Sequence, residues 1–147
     1  MGEEKLSPEE LEAVKFMLSH LARFDDKANI LIRGSGVTLI LVAGLAGFLI
    51  TFLSTERIFA LFVLLLIPIL LLCGCVISSS LLLWPKFTES VFFSKESYKV
   101  LEVKYRDSLA KKDKWIKRAI FFLVSGLLSF AGWLLYYFYL FFFIKTG

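Results

Sequence analysis

Three long apolar blocks dominate the chain. Ile30 to Phe52 carries one charge, Arg33, near its start, while Ile58 to Trp84 and Ala119 to Ile144 carry none. A helix crosses a bilayer with roughly 20 apolar residues rising about 1.5 Å each, and all three blocks qualify. The stretches before the first and third blocks have a different pattern. Ser7 suits an N-cap, Pro8 a first helical position, and Glu9 and Glu10 the positive end of a helix dipole. Apolar residues then recur as Leu11, Val14, Leu18, Leu21 and Ala28, a seam spaced by threes and fours. Asp25 falls where the next apolar residue is due. Tyr98, Leu101, Tyr105 and Leu109 form a similar row ahead of the third block, with Ser94 as its candidate cap. No proline or turn signal separates either row from the block that follows.

The pattern predicts an all-α membrane protein of one domain, residues 1–147, with three transmembrane helices. Spans one and three are extended by cytoplasmic amphipathic helices. The expected division is an amphipathic helix over 8–29, span one over 30–53, span two over 58–84, a second amphipathic helix over 95–114 and span three over 116–144. The Ser-Thr-Glu-Arg link makes spans one and two a tight hairpin. Pro68 is expected to kink span two. Phe87, Val91, Phe92 and Phe93 form a short apolar patch after the Trp84-Pro85-Lys86 turn.

Composition agrees with this reading and charge gives it a direction. The 147 residues are 58% hydrophobic, with mean hydropathy +0.75. Net charge is only +4, but Lys and Arg gather before span one and between spans two and three. Since basic residues collect in cytoplasmic segments, the N-terminus is expected inside and the C-terminus outside the inner membrane. The first apolar block follows a charged stretch, the wrong order for a cleaved signal, so the chain is expected to insert by its own spans.

The sequence gives catalysis little support. His20 is the single histidine, with no nucleophile arrangement around it, and is read as a surface or packing residue. Gly34-Ser35-Gly36 lies inside a span, unlike a phosphate loop between strand and helix. Cys73 and Cys75 point apart on a helix and are read as buried thiols, so no metal and no cofactor is expected. No span carries an ionisable group at its middle, which argues against a coupled transporter. Nucleic acid is not an expected partner.

Four groups of residues remain as candidates. Arg23, Asp25, Asp26, Lys27, Asn29 and Arg33 form a charged stripe at the mouth of span one. A carboxylate at a membrane edge implies a partner: the basic start of span three, a neighbouring subunit or a ligand. Lys111, Lys112, Lys114, Lys117 and Arg118 form a basic run suited to snorkelling toward lipid headgroups or contacting phosphate. Gly36, Ala43 and Gly47 share one face and Ser125 and Ser129 another, with Gly132 nearby; small residues at such spacing let helices approach, within one chain or between copies. Thr38, Thr51, Ser78, Ser79, Ser80, Ser125 and Ser129 are the polar span residues from which a hydroxyl-lined pore would have to be built.

Arg23-Phe24-Asp25-Asp26-Lys27-Ala28-Asn29-Ile30-Leu31 resembles the aspartate-lysine-alanine segment that opens the first span in the Pycsar effector family, small prokaryotic membrane proteins of antiphage defence. Trp84-Pro85-Lys86 with Phe92-Phe93, and the charged helix from Tyr105 to Leu135 with Lys114 and Ala119, resemble later parts of the same pattern. The likeness covers most of the chain from Leu21 on, with Arg33-Gly34 standing where the family continues with leucine or isoleucine. It implies an effector that oligomerises and permeabilises the inner membrane when a partner cyclase makes the cyclic pyrimidine nucleotide cCMP or cUMP. A non-enzymatic scaffold and a small constitutive ion channel are the alternatives.

Overall fold

The structure, a computed structural model, describes residues 7–51, 55–83 and 98–144. The expected cap at Ser94, the Trp84-Pro85-Lys86 turn and the patch of Phe87, Val91, Phe92 and Phe93 lie outside them. Among the described residues three helices make up the fold: α1 over Pro8–Ile50, α2 over Thr55–Leu82 and α3 over Tyr98–Ile144. Each is long and apolar enough to cross a membrane, which makes the chain a multi-pass, all-α membrane protein.

The charged rows and the apolar blocks that follow them join into single helices, as the lack of a proline or turn signal between them suggests. α1 runs unbroken through 43 residues and α3 through 47, so positions 29/30 and 114/116 are not boundaries of structure. Each is about 65–70 Å long, roughly twice the hydrocarbon thickness of a bilayer. Nothing between the polar and apolar halves stops the backbone hydrogen-bond ladder, because neither stretch contains proline. α1 starts with a capping box: Ser7 Oγ accepts from Glu10 N–H at 3.2 Å, and Glu10 accepts from Ser7 N–H at 2.8 Å. It ends at Ile50, short of the expected residue 53. α2 continues through Pro68, which is fully buried.

α1 and α3 run parallel, with α2 antiparallel to both. The partners His20–Tyr105, Asp25–Lys112 and Leu49–Tyr137 are separated by 85, 87 and 88 positions, a nearly constant offset along the pair. Against α2 the order reverses: Ile116 meets Leu82, Gly126 meets Leu72 and Trp133 meets Leu61.

A single rule positions all three helices. Through the buried and half-buried positions of each helix runs one central series: 18, 21, 25, 28, 32, 35, 39, 42, 46 and 49 in α1; 61, 65, 68, 72, 75, 79 and 82 in α2; and 98, 101, 105, 109, 112, 116, 119, 123, 126, 130, 133, 137 and 140 in α3, with further half-buried residues beside it. Each series steps by threes and fours, the heptad seam of a left-handed helical bundle. In the apolar half this seam gains little from the hydrophobic effect, since lipid is as apolar as leucine; van der Waals fit and interhelical hydrogen bonds hold it. Val42, Ala46, Leu61, Leu65, Leu72, Trp133, Tyr137 and Leu140 form that core.

Two polar handles on α3 tie the bundle at the end holding the C-terminus of α1. The Trp133 indole N–H donates to Leu61 O at 2.9 Å, and the Tyr137 hydroxyl donates to Leu49 O at 3.0 Å. Leu49 lies in the last turn of α1, where carbonyls run short of helical donors, and Tyr137 gives its carbonyl a side-chain donor beside the Thr51 N–H. The rings of Phe130, Trp133, Tyr137 and Phe141 stack in sequence up this face, at centroid spacings of 5.8, 5.9 and 6.2 Å. Trp133→Ala is expected to cost about 3–5 kcal/mol and Tyr137→Phe about 1 kcal/mol. Equilibrium unfolding in mixed micelles would measure both, and equal effects would contradict the assignment of packing to one and a hydrogen bond to the other.

Candidate functional site

Among the described residues, the central series of the three helices carries charge at two positions, Asp25 and Lys112. Both fall where an apolar residue is due, and the parallel register of α1 and α3 places them opposite each other. Lys112 donates to Asp25 Oδ1 in an ion pair whose side chains are 17% and 33% exposed. The neighbouring seam positions Leu21, Ala28 and Ile116, one turn away on either helix, are all buried. Ala28 and Ile116 join Leu82 in a small core that Phe24, Leu83 and Trp115 border. The pair therefore sits about one turn from the level where α2 ends and the bundle narrows from three helices to two.

One turn and a half further from the apolar half, His20 Nδ1 and the Tyr105 hydroxyl lie 2.5 Å apart. The His20 ring also meets Phe16 and Phe24, with centroids 6.2 and 5.5 Å away. These two polar links hold the charged halves of α1 and α3 together. Leu21 and Leu101 are buried in the same seam, but Leu11 is 46% exposed, so the expected seam on α1 closes only from about Val14 onward.

The remaining members of the charged stripe separate from Asp25. Arg23, Asp26, Asn29 and Arg33 are exposed, and none forms an ion pair or side-chain hydrogen bond among the described residues. The Lys27 ammonium lies 5.4 Å from the Phe24 ring centroid. The physical reason is geometric. Successive residues on a helix turn by about 100°, so Asp26 looks away when Asp25 faces α3.

In the basic run, Lys111 and Lys114 are exposed, and Lys117 pairs with Asp113 at 2.6 Å. The Arg118 guanidinium lies 4.9 Å from the Trp115 ring centroid. Such exposed pairs contribute little to stability.

The small residues divide as well. Gly36 is half-buried, Ala43 and Gly47 are exposed, and a Cβ built on Gly36 or Gly47 would meet nothing within 4 Å. Their face is turned about 100° from the seam of Val42 and Ala46, so close approach inside the chain is not their role. That role falls to Gly74 and Gly126, which the sequence reading passed over. A Cβ on Gly126 would lie 3.0 Å from Leu72 Cγ, and one on Gly74 would lie 3.4 Å from the Phe122 ring. Ser125 and Ser129 flank Gly126 and are half-buried.

Several of the span hydroxyls are turned back onto their own helices. Thr38, Thr51 and Ser80 donate to carbonyls of their own helices at 2.8, 2.6 and 2.8 Å. Ser35 does the same within the core, donating to Leu31 O at 2.6 Å. Ser79 is fully buried and its hydroxyl has no partner among the described residues. Cys73 and Cys75 are free thiols. Among the described residues no cluster of three His, Cys, Asp or Glu side chains is placed to hold a metal ion.

No family model matches the chain, and neither a curated protein nor a solved structure does.

Proposed function

We propose that this chain is a non-enzymatic membrane effector of prokaryotic antiphage defence, which oligomerises and permeabilises the inner membrane in response to cCMP or cUMP. The observation that carries the reading is the Asp25–Lys112 pair. It puts two charges of the central seam against each other at the edge of the apolar half, between two helices that both continue into it. An ion pair there is a releasable contact: losing it frees the charged halves of α1 and α3 without unmaking the apolar core. The resemblance of residues 23–31 to the Pycsar segment supports the same placement, since Asp25 lies within that segment.

On this reading the N-terminus is cytoplasmic, the C-terminus is outside, and the charged halves of α1 and α3 are the cytoplasmic extensions that receive the signal. The exposed cluster of Asp26, Asn29 and Arg33 is available to a nucleotide, and the open face of Gly36, Ala43 and Gly47 to another copy of the chain. Asp26 is exposed and unpaired among the described residues, so Asp26→Ala is expected to leave membrane levels unchanged. The same variant is expected to weaken growth arrest when the chain is expressed with a pyrimidine cyclase. Growth and uptake of a membrane-impermeant dye would be followed together. Full arrest by Asp26→Ala at equal membrane level would remove Asp26 from the response, and arrest without dye uptake would refute permeabilisation.

A scaffold is the second reading, favoured by Phe16 and Val103, which are 68% and 61% exposed on the charged halves. It differs in predicting a co-purifying partner and no leak.

A further inference from the structure

Along the outer side of α3 the exposed residues Lys111, Lys114, Arg118 and Phe121 form one stripe at three- and four-residue steps, continuing into Leu128. Cations occupy its end nearer Tyr98 and apolar side chains its other end. Beside it opens a groove of about 540 Å³, lined by Lys114, Trp115, Lys117, Arg118, Phe121 and Phe122. Two elements fix its floor. Phe122 rests on Gly74 of α2, where the missing side chain makes room for the ring, and Trp115 borders the core of Ala28, Leu82 and Ile116. Both walls are therefore held by interhelical packing.

The cations at the groove are not equivalent. Lys117 is neutralised by Asp113, whereas Lys114 has no ion pair among the described residues. Arg118 lies over Trp115 and has no ion pair among the described residues. The groove thus presents two uncompensated positive groups, and next to them the rings of Phe121 and Phe122. It lies at the level where α2 ends, which is where the charged half of the bundle gives way to the apolar half.

We propose that this groove binds one anionic phospholipid, its phosphate held by Lys114 and Arg118 and the upper part of an acyl chain laid on Phe121 and Phe122. Charge complementarity selects the ligand's sign. The order of the groups along the helix selects its form, because a soluble anion would leave the aromatic end of the groove unused. Arg gives the phosphate a planar fork of donors and Lys a mobile point charge, a pairing suited to a phosphodiester. This site needs only membrane residence, so it stands or falls independently of the effector reading.

Native mass spectrometry of the full chain, released from nanodiscs of mixed phosphatidylglycerol and phosphatidylcholine, would count retained lipids. The expected result is one phosphatidylglycerol per chain, retained in preference to phosphatidylcholine. Each basic group near a membrane surface contributes about five-fold to anionic lipid binding, so Lys114→Gln with Arg118→Gln should weaken retention about thirty-fold. Lys15→Gln, which removes an exposed cation from the charged half of α1, should leave retention unchanged. Equal retention of the two lipids by the unaltered chain would overturn the proposal, and that comparison requires no variant. So would retention insensitive to the double substitution. Displacement of the lipid by millimolar inorganic phosphate or cCMP would reassign the groove to a soluble phosphate ligand.

Discussion

Gly126→Leu is expected to unfold the α2–α3 interface, while Gly47→Leu leaves the chain folded. The difference follows from what a side chain would meet. At Gly126 even a Cβ lies 3.0 Å from Leu72 Cγ and 3.1 Å from Cδ2, and Leu72 is fully buried in the core and has no room to retreat. Alanine there would cost a shift of a few tenths of an ångström, but it would recover about 0.8–1 kcal/mol of helix propensity relative to glycine, so the two nearly cancel. Leucine adds three further carbons against the same wall. Overpacking of that kind costs about 1–3 kcal/mol or more, with no propensity gain left to offset it. At Gly47 a Cβ meets nothing within 4 Å, so leucine there gains propensity and costs the single chain nothing. If copies of the chain meet through Gly36, Ala43 and Gly47, the same leucine blocks them. Thermal unfolding in detergent should show a large loss for Gly126→Leu alone, and crosslinking in membranes should lose its oligomer bands for Gly47→Leu. An oligomer that survives Gly47→Leu would place self-association on another face.

The second large effect concerns Asp25 and Lys112, and its sign depends on how many of the two are replaced. Lys112→Ala leaves a carboxylate one-third exposed among apolar side chains, and Asp25→Ala leaves an ammonium still more enclosed. Breaking a fully buried pair costs about 3–5 kcal/mol, and an exposed one 1 kcal/mol or less; this half-buried pair should fall near 2 kcal/mol. Asp25→Leu with Lys112→Leu completes both apolar seams instead. Replacing a buried pair by well-packed apolar residues is neutral or stabilising by about 1–4 kcal/mol. The double variant should therefore be the more stable protein. As an effector it should be the less active one, because the contact that the signal must release has become permanent. Each single variant should show the opposite: lower stability, and leak at lower nucleotide concentration. A double variant that is both more stable and fully active would mean that the pair is structural only.

The seam shows which parts of this fold a sequence can display. In the charged halves, polar faces outline the apolar row, so Leu21, Ala28, Leu101 and Tyr105 stand out, and Asp25 is conspicuous because it interrupts a row. In the apolar halves the same heptad continues, but every face is hydrophobic. Val42 inside and Ile40 or Leu41 outside are chemically alike. Burial there is decided by helix rotation, which the residues themselves do not mark. That is why Gly36, Ala43 and Gly47 stood out as a face, while Gly126, which actually sets the α2–α3 distance, did not. Lys112 is legible as one cation of a basic run, and the parallel register of α1 and α3 sets it apart from Lys111 and Lys114. The pairing of His20 with Tyr105 depended on the same register. A continuous reading of both rows, with Lys112 taken as the next seam position after Leu109, would have found the partner of Asp25.

The most direct measurement is dye release from liposomes that hold the purified chain, before and after addition of cCMP or cUMP. The effector reading predicts a tight vesicle alone and release on adding one of the two nucleotides, with cyclic purine nucleotides inactive. Release to the same extent without nucleotide would contradict gating and make the chain a constitutive channel. No release in any condition, from vesicles in which the chain is inserted and oligomeric, would contradict permeabilisation by this protein.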